Sequence, residues 1–107
     1  MRIISKEQLK NKMEQGEQFK LVMTMNDWAF DQMHIPGSMH FEDACEAMAH
    51  LNPNDEIILY CSAKECHYGV DTYLALREFG YNNIYYYPGG LQEWMSAHYP
   101  LEGSMVH

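Results

Sequence analysis

Glu56-Ile57-Ile58-Leu59-Tyr60-Cys61-Ser62-Ala63-Lys64-Glu65-Cys66-His67 is the stretch from which the rest of the chain is read. Residues 56–60 are apolar after the first, with no polar alternation. That pattern predicts a strand covered on both faces, which Cys61 closes. From His67 to Phe79 the apolar positions Val70, Tyr73, Leu74 and Leu76 recur at helical spacing, and Gly80 supplies a stop. In α/β proteins ligands sit at the carboxyl end of a strand, beside a helix N-terminus. A loop curled over that terminus turns its N–H groups inward. Together with the helix dipole they would hold an anion and favour the thiolate of Cys61, the nucleophilic form. The competing reading is a small buried residue ending a strand, since free cysteine is among the most buried side chains. Position alone leaves both open.

Working outward, the chain alternates helices and strands. Ser5 followed by Gln8 fits a capping box that opens a helix through about Gln15, with Gly16 as its left-handed stop. Phe19–Thr24 reads as a strand and Asn26–Gln32 as a short amphipathic helix, broken by Pro36-Gly37. Glu42–Leu51 reads as a helix, Asn83–Tyr87 as a second β-rich run, and Leu91–Ala97 as a last short helix after Pro88-Gly89-Gly90. Such alternation implies parallel strands joined by right-handed crossovers, an α/β sandwich with helices on both faces of the sheet. No repeat or linker divides the 107 residues, so one domain, 1–107, is expected.

Composition narrows the function. Fifteen acidic residues against seven basic ones give a net charge of −8, unsuited to phosphate-driven nucleic-acid binding. Three cysteines are too few for a disulfide framework. The N-terminus lacks the apolar core of a signal peptide, and no run approaches the roughly 18 apolar residues of a membrane span. A cytoplasmic protein with no membrane partner is expected. No Gly-rich nucleotide motif is present, and the six histidines form no zinc-type set with the cysteines, so neither cofactor nor metal is expected.

The strand–Cys–loop–helix order is preceded by His34-Ile35-Pro36-Gly37-Ser38-Met39-His40. It is followed by Phe79-Gly80-Tyr81 and Pro88-Gly89-Gly90-Leu91-Gln92-Glu93-Trp94. In that order the segments resemble a single-domain rhodanese-like protein over nearly the whole chain. The resemblance implies a three-layer sandwich with a mainly parallel sheet of about five strands. It also implies a sulfurtransferase that carries sulfane sulfur as a persulfide on Cys61. Residues Ser62, Ala63, Lys64, Glu65, Cys66 and His67 would be the anion-binding loop. The partners would be a small sulfur donor and a thiol acceptor, small or protein-borne.

The chain departs from the family pattern where an anion would be clamped. The usual loop arginine, five residues after the cysteine, is replaced by Cys66; six residues on stands His67, and no arginine occurs before Arg77. Met23-Thr24-Met25 stands where the family carries Asp-x-Arg. The pattern resembles a subgroup with a second cysteine in the loop, which makes Cys66 a candidate resolving thiol for a Cys61 persulfide or sulfenate. Lys64 is the only fixed cation in the loop. His67 is either a hydrogen-bonding neighbour of the thiolate or a solvent-facing first-turn residue. The alternative function is a non-catalytic binding or redox-sensing module that kept the fold and lost the clamp.

Elsewhere, Cys45 is expected to be a packing residue among Ala44, Ala47, Met48 and Leu51. Glu42 and Asp43 are read as first-turn acids, and Met23, Met33, Met39 and Met48 as core fillers. Tyr85-Tyr86-Tyr87 should alternate between the faces of a strand. Trp94 should pack on the sheet, and Trp28 should be partly exposed. The resemblance assigns His34 to hydrogen bonding that fixes the Pro-Gly turn.

Overall fold

The computed structural model describes residues 1–24, 27–41, 43–62 and 68–105. Helix α1 spans Lys6–Glu14, β1 Lys20–Met23, α2 Asp27–Gln32, β2 Met39–His40 and α3 Ala44–His50. Then follow β3 Ile57–Tyr60, α4 Tyr68–Glu78, β4 Ile84–Tyr87 and α5 Gly90–Ser96. The four strands form one parallel sheet in the order β2-β1-β3-β4. Ile3 adds a parallel bridge to Tyr86 on the outer edge of β4, so the sheet is close to the five strands expected.

The faces follow from strand alternation. Val22, Ile57, Leu59, Ile84 and Tyr86 pack with Ala47 and Leu51 from α3 and its end and with Tyr73 and Leu76 of α4. Leu21, Met23, Ile58, Tyr60 and Tyr87 pack with Leu9 of α1, Ile35 and Trp94 of α5, with Phe30 of α2 against them. Helices thus cover both faces, and all four residues of β3 are buried, as the unbroken apolar run required. The tyrosine run divides as predicted, Tyr86 on one face and Tyr87 on the other.

Local chemistry sets the ends of the elements. Ser5 and Gln8 form both bonds of the capping box, and Gly16 takes φ 69° beyond the Gln15 cap. Asp43 is the N-cap of α3, accepting from the Glu46 N–H, rather than a first-turn acid; Glu42 lies outside the described residues. Two other expectations change. Cys45 is exposed: Ala47 and Leu51, four residues apart, mark the buried face of α3, and Cys45 falls two residues before Ala47, on the far side. Leu74 is 58% exposed because Tyr73 and Leu76 define the inner face of α4. The strand β2 was not foreseen, since two residues carry no periodicity.

Candidate active site

The crossover from β1 uses α2 on one face of the sheet, whereas that from β3 uses α4 on the other. The chain therefore leaves two neighbouring strands in opposite directions, and the crevice between their carboxyl ends is where such folds bind ligands. Cys61, 1% exposed, sits there, immediately after Tyr60 of β3. Across from it, Thr24 donates to the Tyr60 carbonyl through both its backbone N–H (2.9 Å) and its hydroxyl (3.2 Å).

Two anchors fix the start of the loop. The first N–H groups of α5 have no partners within their own helix, and the loop backbone supplies them. Leu91 N–H donates to the Cys61 carbonyl (2.9 Å) and Gln92 N–H to the Ser62 carbonyl (2.7 Å). The glycines at the head of α5 let this contact form: Gly90 takes φ 64°. The second anchor is Tyr60. Its hydroxyl accepts from the buried Ile35 N–H (3.0 Å) and donates to Ser38 Oγ (2.9 Å), which in turn donates to the Ile35 carbonyl (2.6 Å). Burial pushes the Tyr60 phenol up to about 12, with its hydrogen bonds opposing that shift.

The segment Tyr60 grips is the His-Ile-Pro-Gly motif. Ser38 N–H donates to the Ile35 carbonyl (3.0 Å), closing a turn with Pro36 second and Gly37 third at φ 83°, the residue placement of a type II turn. His34 ties it down, as the resemblance implied: Nδ1 lies 2.7 Å from the Phe30 carbonyl and the ring stacks on Phe30 at 4.0 Å. Its backbone exchanges two bonds with Glu102. His40, at the end of β2, pairs through Nδ1 with Asp27 at 2.8 Å. Trp94 is fully buried and donates to the Pro100 carbonyl (2.8 Å), while Trp28 is 71% exposed.

Cys61 is engaged in a disulfide, whereas Cys45 is free. Ser62 is half-buried beside it. Ala63, Lys64, Glu65, Cys66 and His67 lie outside the described residues. The two arginines of the chain stand elsewhere. Arg2 and Arg77 both donate to the Asn82 carbonyl, before the start of β4. By strand rise that is roughly 20 Å from the level of Cys61. Sequence reasoning missed Tyr60, Ser38 and Thr24 as supports of the site. A tyrosine directly before the loop cysteine was the available signal, but its apolar neighbours made it read as core.

The chain matches the family model for the rhodanese-like domain over residues 5–97. No curated protein matches it. Among solved structures, a Bacillus halodurans protein superposes with a TM-score of 0.87 at 18% identity, over 97% of this chain and 78% of its own. The rhodanese-like domain of an Anabaena protein does so at 0.87 and 25%, over 98% and 81%. A thiosulfate sulfurtransferase from Pseudomonas aeruginosa matches at 0.82 and 17%, over 100% of this chain and 21% of that one. These likenesses concern fold, which does not by itself carry an activity. With the parallel sheet, the strand-end cysteine and a family match spanning most of its length, the chain belongs to the rhodanese-like domain family.

Proposed function

We propose that the protein is a persulfide-carrying sulfurtransferase with Cys61 as its nucleophile. The observation that carries this reading is the placement of Cys61: a buried thiol position at the crevice between β1 and β3, its carbonyl held by α5. A donor persulfide, R–S–SH, is attacked at its outer sulfur by the Cys61 thiolate. The S–S bond of the donor breaks, R–S⁻ leaves, and Cys61 keeps the sulfur as a persulfide. An acceptor thiolate then takes that outer sulfur, and the Cys61 thiolate leaves. Lys64 and the backbone N–H groups of residues 62–67 are assigned to holding the charge.

Cys66 is assigned as the resolving thiol. Its attack on the inner sulfur of the Cys61 persulfide forms a Cys61–Cys66 disulfide and expels hydrosulfide. Two thiols of a reductant such as glutathione restore the dithiol and become its disulfide. The disulfide on Cys61 supports this pairing, since the chain has three cysteines and Cys45 is free.

The test is intact mass after reduced protein meets a low-molecular-weight persulfide. A gain of one sulfur atom on Cys61, abolished by Cys61→Ser and accumulating in Cys66→Ser, is expected. Absence of that gain in wild type and in Cys66→Ser overturns the carrier reading. A disulfide that still forms would then favour the redox-sensing alternative.

A further inference from the structure

Helices α3 and α4 lie side by side on one face of the sheet, each returning from the carboxyl end of a parallel strand, so they run the same way. Gly69, Tyr73 and Leu76 mark the face that α4 turns to the sheet. On its flank toward the β4 edge, Arg77 donates to the Asn82 carbonyl, where Arg2 also bonds. By the helical period Tyr68, Ala75 and Phe79 stand about half a turn round from Arg77, on the flank toward α3. In α3, Ala47 and Leu51 face the sheet, and the hydroxyl of Tyr81, just beyond α4, donates to the Leu51 carbonyl (2.9 Å). Cys45, Met48 and Ala49, at i, i+3 and i+4, share one side of α3, and Met48 packs on the cluster beneath both helices. His50, stacked on Phe41 at 5.4 Å, belongs to the other side.

The two helices thus bound a groove whose walls are Cys45 and Ala49, both exposed, and half-buried Ala75. At its ends stand Tyr68 and Phe79, both 65% exposed. The strip between them is about 16 Å long, three turns of a helix. Large exposed aromatic side chains along an apolar groove mark an interaction surface. Charge says what fits it. Exposed Glu46 borders the groove on α3, and exposed Asp71 and Glu78 border it on α4. No lysine or arginine occurs from Asp43 to Leu51, and the one in α4, Arg77, is on the far flank. A second copy of these helices would bring like charges together. The chain's own lysine-bearing helix, α1, has Leu9 and Met13 committed to the core on the other face of the sheet.

We propose that the groove between α3 and α4 docks a basic amphipathic helix of a partner protein. Its apolar residues, at i, i+3 or i+4 and i+7, lie between Tyr68 and Phe79, and lysines or arginines along its edges face Glu46, Asp71 and Glu78. The surface is on the face of the sheet opposite α2 and α5, and the proposal does not depend on the chemistry assigned to Cys61.

The probe is a fluorescein-labelled peptide of roughly 14 residues, about four helical turns, with leucines on one face and lysines on its flanks. A scrambled peptide of the same composition keeps the charge and loses the apolar face. By fluorescence anisotropy at physiological ionic strength, the amphipathic peptide is expected to bind at least about tenfold tighter than the scrambled one. Tyr68→Ser and Phe79→Ser should each weaken it roughly tenfold, the effect of losing one aromatic anchor. Both residues are exposed, so both variants should fold normally. Asp71→Asn with Glu78→Gln should flatten the salt dependence. Trp28→Ser, which removes an exposed aromatic on the other face, should change nothing. Cys45 reports occupancy independently: in the oxidised protein its alkylation by iodoacetamide should slow when the peptide saturates. Equal binding of the two peptides, affinity indifferent to Tyr68→Ser and Phe79→Ser, or unslowed Cys45 alkylation overturns the proposal. Sedimentation of the protein alone as a dimer that Phe79→Ser dissociates gives the groove to a second copy and overturns it too.

Discussion

Replacing Tyr60 by Phe removes one oxygen from the joint between the strand that ends at Cys61 and the His-Ile-Pro-Gly turn. The ring keeps its place, so the change isolates the hydrogen bonds. The Ile35 N–H, on a residue that is 0% exposed, loses its acceptor. A buried donor left unpaired costs about 1–3 kcal/mol. Ser38, half-buried, keeps its bond to the Ile35 carbonyl and turns its free lone pair to water. The sum is about 1–3 kcal/mol, or roughly 5–20 °C in Tm for a domain of this size. Urea unfolding should give a lower midpoint at an unchanged slope.

A second readout ties the loss to this hydroxyl. The Tyr60 phenol is raised from 10.0 to about 12 by burial, so the folded state holds its proton after the unfolded state has lost it. Its contribution is therefore complete below pH 10 and disappears as pH climbs through 12, amounting to about 3 kcal/mol at the limit. Tyr60→Phe should flatten that part of the alkaline limb, leaving the parts due to the other raised tyrosines, Tyr86 and Tyr87. A midpoint within about 0.5 kcal/mol of wild type, the scatter of an ordinary surface change, would refute the reasoning.

Gly69→Ala places a Cβ 2.5 Å from the Tyr86 ring, so despite alanine's better helix propensity it should destabilise by about 1–3 kcal/mol, read from the urea midpoint. Trp94→Phe loses the indole bond to the Pro100 carbonyl and leaves a void in a fully buried site; about 2–3 kcal/mol is expected by the same assay. In the oxidised, folded protein, iodoacetamide should label Cys45 first and leave Cys61 unlabelled until a reductant is added, as peptide mapping will show. Raising salt from 0.01 to 0.15 M shortens the screening length from about 30 to 8 Å, so sulfur uptake from the dianion thiosulfate should accelerate while uptake from an uncharged persulfide should not; stopped-flow rates decide it.

The fold was legible because each element carried its own signal. The apolar run 57–60 declared a strand buried on both faces, and Ser5 with Gln8 declared a helix start. The pairs Gly16 with its helix end and Pro36 with Gly37 marked breaks that the backbone then made at φ 69° and 83°. What failed was phase and length. Two residues of β2 show no period, and in α3 the small apolar Cys45 cannot be told from Ala47 until the helix is docked on the sheet. The sequence pointed to the strand-end cysteine of the candidate site and not to the residues that support it. Tyr60 and Thr24 act through hydroxyls whose partners are distant in sequence and meet only once the chain has folded.

The arrangement of cations gives the active-site chemistry its direction. A domain with net charge −8 repels a small dianion once it comes within the screening length of roughly 8 Å, so capture depends on cations at the site itself. Both arginines are committed at the opposite end of the sheet, where they hold the Asn82 carbonyl and, for Arg2, the face of Tyr85. Neither can act as a bidentate clamp on an oxyanion near Cys61. In the proposed function the charge there is held by Lys64 and by uncharged donors, the backbone N–H groups of residues 62–67. Uncharged donors suit a soft, singly charged sulfur better than a hard dianion. The residue at the family's arginine position is itself a thiol, Cys66, which replaces electrostatic capture with a second sulfur able to react. In the proposed function, that exchange of arginine for cysteine suits a persulfide donor better than an oxyanion and would couple turnover to the thiol reductant that reopens the disulfide.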